Sequence, residues 1–182
     1  TPVALEVGDI NNDGHLDVAF AHDSVSTMSV LYGVGNGTFT AGNTSIGVAQ
    51  KDVGLPDLNN DGHLDLVVPR GSSLVTTRLN QVSSWAGNAD TTVGQLPLSV
   101  TFSDVDTDGD LDVISSNYTG NSITVIRNFG DGSLLPLTTL NIGNGTQPRM
   151  IHGFDADHDG DQDLAVAIGG AGTIGVYRVD CD

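Results

Sequence analysis

Apolar and polar residues alternate in short runs along this chain. Val3, Leu5 and Val7 are separated by small or polar residues, which is the period of two that a β-strand gives to its side chains. Similar short runs recur throughout the sequence, and no segment shows the longer period of a helix. Residues that favour surface helices are scarce, since the 182 residues include one Glu and one Lys. The pattern predicts an all-β protein.

Comparing the chain with itself reveals a repeat centred on an Asp-rich window of nine residues. The four copies, called loops 1 to 4, are residues 9–17 (DINNDGHLD), 57–65 (DLNNDGHLD), 104–112 (DVDTDGDLD) and 155–163 (DADHDGDQD). Their starts are separated by 48, 47 and 51 residues. An extended segment precedes each loop and an apolar run follows it, so each loop is predicted to join two strands.

Each unit continues with a third strand, a Gly-rich turn and a fourth strand. The predicted third strands are MSVLYG (28–33), LVTTRLN (74–80), ITVIRN (123–128) and TIGVYRV (173–179). The Gly-rich turn is clear at residues 33–39 and 129–134, whereas the second unit has QVSSWAGNAD (81–90) in its place. The predicted fourth strands are NTSIGVA (43–49) and TTLNIG (138–143).

Four short antiparallel strands in about 48 residues form the blade of a β-propeller. The predicted fold is therefore a single β-propeller-type domain over residues 1–182. Its repeats are predicted at approximately 1–48, 49–95, 96–145 and 146–182, and the last repeat lacks a fourth strand.

The loops carry the ligands that calcium prefers, which are six to eight hard oxygen atoms at about 2.3–2.6 Å. A nine-residue loop can supply side-chain oxygens from positions 1, 3, 5 and 9 and a backbone carbonyl from position 7. The predicted ligands are Asp9, Asn11, Asp13, His15 and Asp17; Asp57, Asn59, Asp61, His63 and Asp65; Asp104, Asp106, Asp108, Asp110 and Asp112; and Asp155, Asp157, Asp159, Asp161 and Asp163. The Gly at position 6 of each loop is expected to adopt a positive φ. About four calcium ions are predicted, with tighter binding at loops 3 and 4, where four side-chain carboxylates replace three.

Different kinds of loop and different metals fit these residues less well. An EF-hand-type loop has an acid at position 12, which here is Phe20, Val68, Ser115 or Val166. Magnesium prefers a smaller shell with several waters, and zinc needs His or Cys ligands that are not clustered here. Four solvated turns would not explain why acids recur at positions 1, 5 and 9 of every copy.

Charge and composition exclude several partners. Of the 23 acidic residues, 16 lie in the loops, and the net charge is −17, which disfavours nucleic acid and anionic membranes. No apolar stretch is long enough to span a membrane. The single Cys181 cannot form an internal disulfide, and sequons at Asn36, Asn43, Asn117 and Asn144 give slight support to an extracellular location.

Loops of the DxDxDGxxD type followed by a turn rich in Gly and aromatic residues resemble the FG-GAP/VCBS repeat family. That family includes the propeller head of integrin alpha subunits, some fungal lectins, and propeller domains of bacterial surface proteins and polysaccharide-degrading enzymes. The resemblance implies a calcium-binding propeller at the cell surface or secreted from the cell. Members usually have more than four blades, which leaves three alternatives: a fragment of a longer propeller, copies that associate through open strand edges, or a compact four-bladed ring. The incomplete last unit favours the first two.

The resemblance implies a non-catalytic module for adhesion or recognition that binds a glycan or a protein. The alternatives are a structural subunit of an extracellular assembly or fibre, and a propeller domain of a polysaccharide-degrading enzyme.

The sequence has no nucleophile elbow or HExxH motif, and the rings of His15 and His63 are expected to face water. Trp85 and Tyr118 could stack on a sugar, although packing is the more common role of such residues. Five arginines near strand ends are expected to pair with nearby acids: Arg70, Arg78, Arg127, Arg149 and Arg178.

Calcium should contribute to folding stability, because each ion would fasten the connection between two strands. Chelation with EDTA is therefore expected to lower the melting temperature markedly, as measured by circular dichroism or calorimetry. A melting curve that EDTA leaves unchanged would contradict the calcium assignment.

Overall fold

A computed structural model describes residues 1–45, 49–82, 84–160 and 162–178. Within these ranges the chain forms strands and no helix, as the sequence predicts. The strands are β1 (Pro2–Gly8), β2 (Asp17–His22), β3 (Thr27–Gly33), β4 (Phe39–Ser45), β5 (Leu66–Arg70), β6 (Leu74–Asn80), β7 (Trp85–Thr92), β8 (Pro97–Ser103), β9 (Asp112–Asn117), β10 (Ser122–Asn128), β11 (Leu134–Asn141), β12 (Pro148–Phe154), β13 (Asp163–Ile168) and β14 (Thr173–Tyr177).

The strands form four antiparallel sheets in a β-propeller-like arrangement of four blades. Blade 1 contains β1 to β4, blade 2 β5 to β7, blade 3 β8 to β11 and blade 4 β12 to β14, each in sequence order. Strands that follow one another along the chain are therefore neighbours in the sheet, and a short loop suffices to join each pair. Loops 1, 3 and 4 join the first two strands of their blades, as predicted.

Blade 2 departs from the expected four strands. Its first segment touches β5 only at two isolated bridges, Gln50 to Arg70 and Gly54 to Val67. Pro69 lies in β5 between these two bridges and has no N–H to donate, so a continuous ladder cannot form along this edge.

The fourth strands begin earlier than the sequence pattern predicts. In blade 1 the turn closes with a hydrogen bond from Val34 N to Thr38 O, and β4 starts directly afterwards at Phe39. In blade 2 a still shorter turn closes from Gln81 N to Ser84 O, so Trp85 begins β7 rather than lying in a long turn. The predictions of 43–49 and 138–143 placed these strands too far along the chain, and 46–48 lie outside the described residues. The last third strand, predicted over 173–179, ends at Tyr177 as β14, and Val179 also lies outside the described residues.

Three buried apolar clusters hold neighbouring blades together. The first joins blades 1 and 2, the second blades 2 and 3, and the third blades 3 and 4. Strands β5 and β9 supply two clusters each, since Val67 and Leu66 point to opposite faces of one sheet, as do Val113 and Ile114. This explains why these strands read as continuous apolar runs: both faces of an inner blade are covered.

Two asparagines bind one blade to the loop of the blade before it. Asn80 at the end of β6 donates from Nδ2 to Ile10 O at 2.6 Å and to Leu64 O at 3.1 Å. Asn128 at the end of β10 donates likewise to Leu58 O at 2.7 Å and to Leu111 O at 3.1 Å. Both asparagines are buried, so these bonds form away from competing water.

The outer faces of the first and last blades are apolar and open to solvent. In blade 1, Val3 and Leu5 are 47% and 57% exposed, and in blade 4, Ile174 and Val176 are 76% and 56% exposed. Among the described residues, the extensive strand contacts between blades join blade 2 to blade 3 and blade 3 to blade 4, and blade 1 packs against blade 2 through the first apolar cluster. The described part of the chain also contains no helix long and apolar enough to cross a membrane.

Replacing Asn128 by Ala should destabilise the protein by about 1–3 kcal/mol, because the buried carbonyl of Leu58 loses its donor. Urea unfolding would measure this loss. Asn144→Ala, in an exposed turn, serves as the control and should change stability by less than about 0.5 kcal/mol. Equal effects of the two substitutions would contradict the role given to Asn128.

Candidate metal centres

The four loops share the same backbone conformation at positions 4 and 6. Position 6 is a Gly with φ of 86°, 83°, 93° and 99° in loops 1 to 4, which confirms the expectation of positive φ. Position 4 also has positive φ in every loop, at Asn12, Asn60, Thr107 and His158. Because side chains other than Gly rarely adopt this region, four agreeing copies indicate that the loop path is set by its own internal bonds.

The carboxylates at positions 1 and 5 accept hydrogen bonds from backbone N–H groups of their own loop. In loop 1, Asp9 accepts hydrogen bonds from Asp13 N at 3.0 Å and Gly14 N at 2.8 Å, and Asp13 accepts one from His15 N at 2.9 Å. The same bonds recur in loop 2 at Asp57 and Asp61 and in loop 3 at Asp104 and Asp108. In loop 4, Asp155 accepts from His158 N at 2.6 Å. The chain therefore encircles a group of inward-facing oxygens.

The carboxylates at position 9 are buried and connect the loop to the blade. Asp112 accepts from Val105 N at 3.0 Å through Oδ2 and from Asn128 N at 2.8 Å through Oδ1. Asp65 does the same with Leu58 N and Asn80 N, and Asp17 with Ile10 N and Gly33 N. Asp163 accepts from Ala156 N at 3.0 Å. In loops 1 to 3 the position-9 residue ties the start of the loop to the third strand. That the position-9 carboxylates also bind calcium stays a prediction.

Loops 3 and 4 bring three carboxylates to one point. Oxygen atoms of Asp104, Asp106 and Asp108 all lie within 4.8 Å of one another, and so do those of Asp155, Asp157 and Asp159. A calcium ion with ligands at about 2.4 Å holds opposite oxygens at most about 4.8 Å apart. Each of the two groups therefore fits around an ion of its own. In loop 3 the Oδ1 atom of Asp106 is also buried and accepts no hydrogen bond within the described residues. A buried carboxylate oxygen without a donor is costly unless a cation faces it.

Position 3 differs between the two pairs of loops. In loops 1 and 2 it is Asn, and the amides of Asn11 and Asn59 each donate at 2.9 Å to the Asp at position 5. In loops 3 and 4 it is Asp, and an arginine from the third strand or its end pairs with it: Arg127 with Asp106 and Arg178 with Asp157, both at 2.9 Å. With the pair between Arg70 and Asp90, these contacts confirm for three of the five arginines that they pair with nearby acids.

Neighbouring loops also contact each other. Asn12 of loop 1 donates to Gly62 O at 3.0 Å and lies 2.7 Å from His63 Nδ1 in loop 2. Asn60 of loop 2 donates to Asp110 of loop 3 at 2.7 Å. The side chains of His63 and Asp110 thus link neighbouring loops, so the His63 ring has a protein partner as well as water, whereas the His15 side chain is exposed. The backbone carbonyls of His15, His63 and Asp110 stay predicted ligands, and Asp161 lies outside the described residues.

Burial and mutual repulsion shift the acidity of the loop carboxyls. Burial raises the pKa of Asp65 to about 6, and the nearby charges of Asp61 and Asp57 add to the rise, while hydrogen bonds from Asn80 and Leu58 oppose it. Burial likewise raises the pKa of Asp112 and of Asp157. At these three positions the charged carboxylate is therefore disfavoured, whereas the hydrogen bond from Asp110 N and the contact with Arg127 lower the pKa of Asp108.

The two aromatic residues singled out as candidate sugar platforms have different surroundings. Tyr118 lies under the Arg149 guanidinium, 4.8 Å from its ring centre, and its hydroxyl donates to Gln147 at 3.2 Å. Trp85 lies at the border of blades 1 and 2, where it lines a cavity of about 190 Å³ with Tyr32.

The sequon asparagines differ in their accessibility. Asn117 is fully buried, and its amide donates to Ser122 and Thr124, so it is not available for a glycan in this fold. Asn36 and Asn144 are exposed.

The fold and loops together define a β-propeller repeat protein with one acidic loop per blade. A family model described as the FG-GAP-like repeat matches residues 9–68, 57–115 and 104–166. The chain therefore belongs to the FG-GAP-like repeat family, which confirms the resemblance noted in the sequence. Among curated proteins, none matches this sequence.

Several solved structures are similar in fold. BBS1N, in a complex with ARL6DN, has a TM-score of 0.66 and 11% identity, over 97% of this chain and 52% of that chain. A protein from Lactobacillus plantarum has a TM-score of 0.65 and 13% identity, over 98% and 52%. A lectin from Agrocybe aegerita that recognises non-reducing terminal N-acetylglucosamine has a TM-score of 0.59 and 17% identity, also over 98% and 52%. The chain thus spans about half the length of these proteins, and the likeness concerns the fold alone.

Lowering the pH from about 7 to about 5.5 should stabilise the metal-free protein. The pKa of Asp65 is raised in the folded state, so folding takes up a proton in this interval and the free energy of unfolding rises as the pH falls. Urea unfolding in EDTA at several pH values would measure this rise, and Asp65→Asn should weaken it. A stability that falls over the same interval would contradict the shift.

Proposed function

We propose that this chain is a calcium-binding, non-catalytic recognition module that works outside the cell and binds a glycan or a protein. Calcium binding is supported by one observation above the others: three carboxylates converge in loops 3 and 4, and the buried Oδ1 of Asp106 faces no donor within the described residues. Asp104, Asp106, Asp108 and Asp112 would hold the ion in loop 3, with the matching residues doing so in the other loops.

Calcium would act on folding rather than on chemistry. In blades 1 and 3 the loop already joins two strands, and its position-9 carboxylate reaches the third strand. An ion bound among the loop oxygens would therefore hold three strands of one blade in register. Four divalent ions would also reduce the net charge from −17 to −9, since each adds two positive charges. The millimolar calcium of extracellular fluids suits such sites, which supports a location outside the cell.

The cavity between blades 1 and 2 is the candidate ligand site. It is lined by Tyr32, Trp85, Ser84 and Asn80, with Gly42 at its side. Two aromatic rings beside hydroxyl groups are the surface on which sugar rings stack and bond. A volume of about 190 Å³ suits a single sugar unit better than an extended chain. The recognition of a terminal sugar by the Agrocybe aegerita lectin, which has the same fold, supports testing glycans first.

A second candidate function is that of a structural subunit in an extracellular assembly. The observation that favours it is the pair of open apolar faces on blades 1 and 4, where Leu5 and Phe20 lie on one and Met150 and Ile174 on the other. These are sheet faces rather than the open strand edges considered from the sequence. Copies joined through such faces would change the molecular mass in solution.

Isothermal titration calorimetry should show that about four calcium ions bind per chain. The calcium-loaded protein should then be applied to a glycan array to test for sugar binding. Trp85→Ala is expected to abolish glycan binding, because it removes one wall of the cavity, while calcium binding stays unchanged. Tyr118→Ala, an aromatic substitution in the blade 3 turn, is the matched control and should keep glycan binding. Absence of calcium binding would overturn the proposal, and glycan binding that survives Trp85→Ala would move the ligand site elsewhere.

A further inference from the structure

Two positions in the repeat change together within this one chain. Where position 3 of the loop is Asp, the residue that comes 15 positions after the last loop Asp is Arg: Arg127 in loop 3 and Arg178 in loop 4. Where position 3 is Asn, the residue 15 positions after the last loop Asp is Tyr32 in blade 1 and Asn80 in blade 2. Leu79 precedes Asn80 at the end of its strand, as Arg127 precedes Asn128. The added negative charge and the added positive charge thus occur in the same loops.

The structure brings these residues into contact. Arg127 Nε lies 2.9 Å from Asp106 Oδ2, and its second guanidinium nitrogen donates to Asp108 Oδ2 at 2.9 Å. One guanidinium thereby spans positions 3 and 5 of the loop. Arg178 lies 2.9 Å from Asp157 Oδ2. Both arginines reach the loop from the third strand of their own blade or from the residue just after it.

The arginines equalise the charge at the four side-chain ligand positions of the loops. Loops 1 and 2 have three carboxylates at positions 1, 3, 5 and 9, and loops 3 and 4 have four. Adding one Arg to each of loops 3 and 4 leaves a net charge of −3 from these positions in every loop. The sequence-based expectation of tighter calcium binding at loops 3 and 4 considered their extra carboxylate but not the arginine that pairs with it.

We propose that Arg127 and Arg178 are built-in counter-cations that lower the calcium affinity of loops 3 and 4 and keep these loops folded when calcium is absent. The inference rests on the proposed binding of calcium by the loops. Arg127 contacts the Oδ2 atoms of Asp106 and Asp108, so the buried Oδ1 of Asp106 is left for the ion. The guanidinium therefore can stay in place when calcium enters, and it then repels the ion across the carboxylates.

Charge, rather than packing, is the cause that must be isolated, because Arg127 also lies 5.4 Å from the ring centre of Phe129. Arg127→Leu removes the counter-cation. It also gives blade 3 the same residue type that blade 2 has at the corresponding position, Leu79. The double variant Asp106→Asn with Arg127→Leu gives loop 3 the charge pattern of loop 2 at positions 1, 3, 5 and 9. Arg149→Leu, which removes an arginine that contacts Tyr118, is the matched control.

Calcium titration followed by NMR resolves the loops individually, since the Gly109 amide reports loop 3 and the Gly62 amide reports loop 2. In Arg127→Leu, the calcium affinity at loop 3 should rise about three- to tenfold, the effect of one charge at a partly exposed site, and loop 2 should not change. In EDTA the same variant should unfold at a lower urea concentration than the wild type. The double variant should return both quantities toward wild type, and about 1 M salt should remove most of the difference.

The outcomes distinguish failure of calcium binding from failure of the counter-cation role. If the wild-type protein shows no calcium-dependent shift at Gly109 or Gly62, calcium binding itself fails. If calcium shifts both resonances but Arg127→Leu leaves affinity at loop 3 and stability in EDTA unchanged, the counter-cation role is overturned. It is also overturned if the double variant is as unstable as the single one, because the loss then comes from packing.

Discussion

Repulsion among crowded carboxylates is the constraint that shapes this structure. Sixteen acids lie in four nine-residue loops, and like charges so close together oppose folding unless each has a partner. The structure supplies partners of different kinds at different loop positions. Backbone N–H groups donate to the carboxylates at positions 1, 5 and 9. Position 3 is either an Asn that donates to position 5 or an Asp that pairs with an arginine, and the oxygens that stay inside the loop are left for a cation.

The same bonds that satisfy the carboxylates also build the propeller. In blades 2 and 3 the position-9 Asp joins the start of its loop to the end of the third strand, and the Asn at that strand end reaches the loop of the preceding blade. Asn80 takes part in both contacts, with its backbone N–H bound to Asp65 and its side chain bound to Ile10 O. A cation in one loop would consequently stabilise a chain of contacts that extends beyond its own blade.

The sequence predicts the repeat, the loops and the order of strands, because the loop residues are local and the alternation of apolar residues is strong. It does not predict where β4 and β7 begin, since the length of the preceding turn depends on single hydrogen bonds such as that from Gln81 N to Ser84 O. The burial of Asn117 and the reach of Asn128 to Leu58 depend on blade packing, which no local pattern encodes. The arginine partners could have been found in the sequence, since an Arg follows the last loop Asp by 15 residues only where position 3 is Asp, at Arg127 and Arg178.

The hypothesis that unites these observations is that a divalent ion lies among the oxygens of each loop and completes the balance of charge. X-ray diffraction from crystals grown in millimolar calcium, recorded at a long wavelength, is the decisive measurement. We predict an anomalous difference peak in every loop, bounded by the side chains of positions 1, 3 and 5. Well-ordered loops without such peaks, with water or the arginine guanidinium in that place, would show the hypothesis to be wrong.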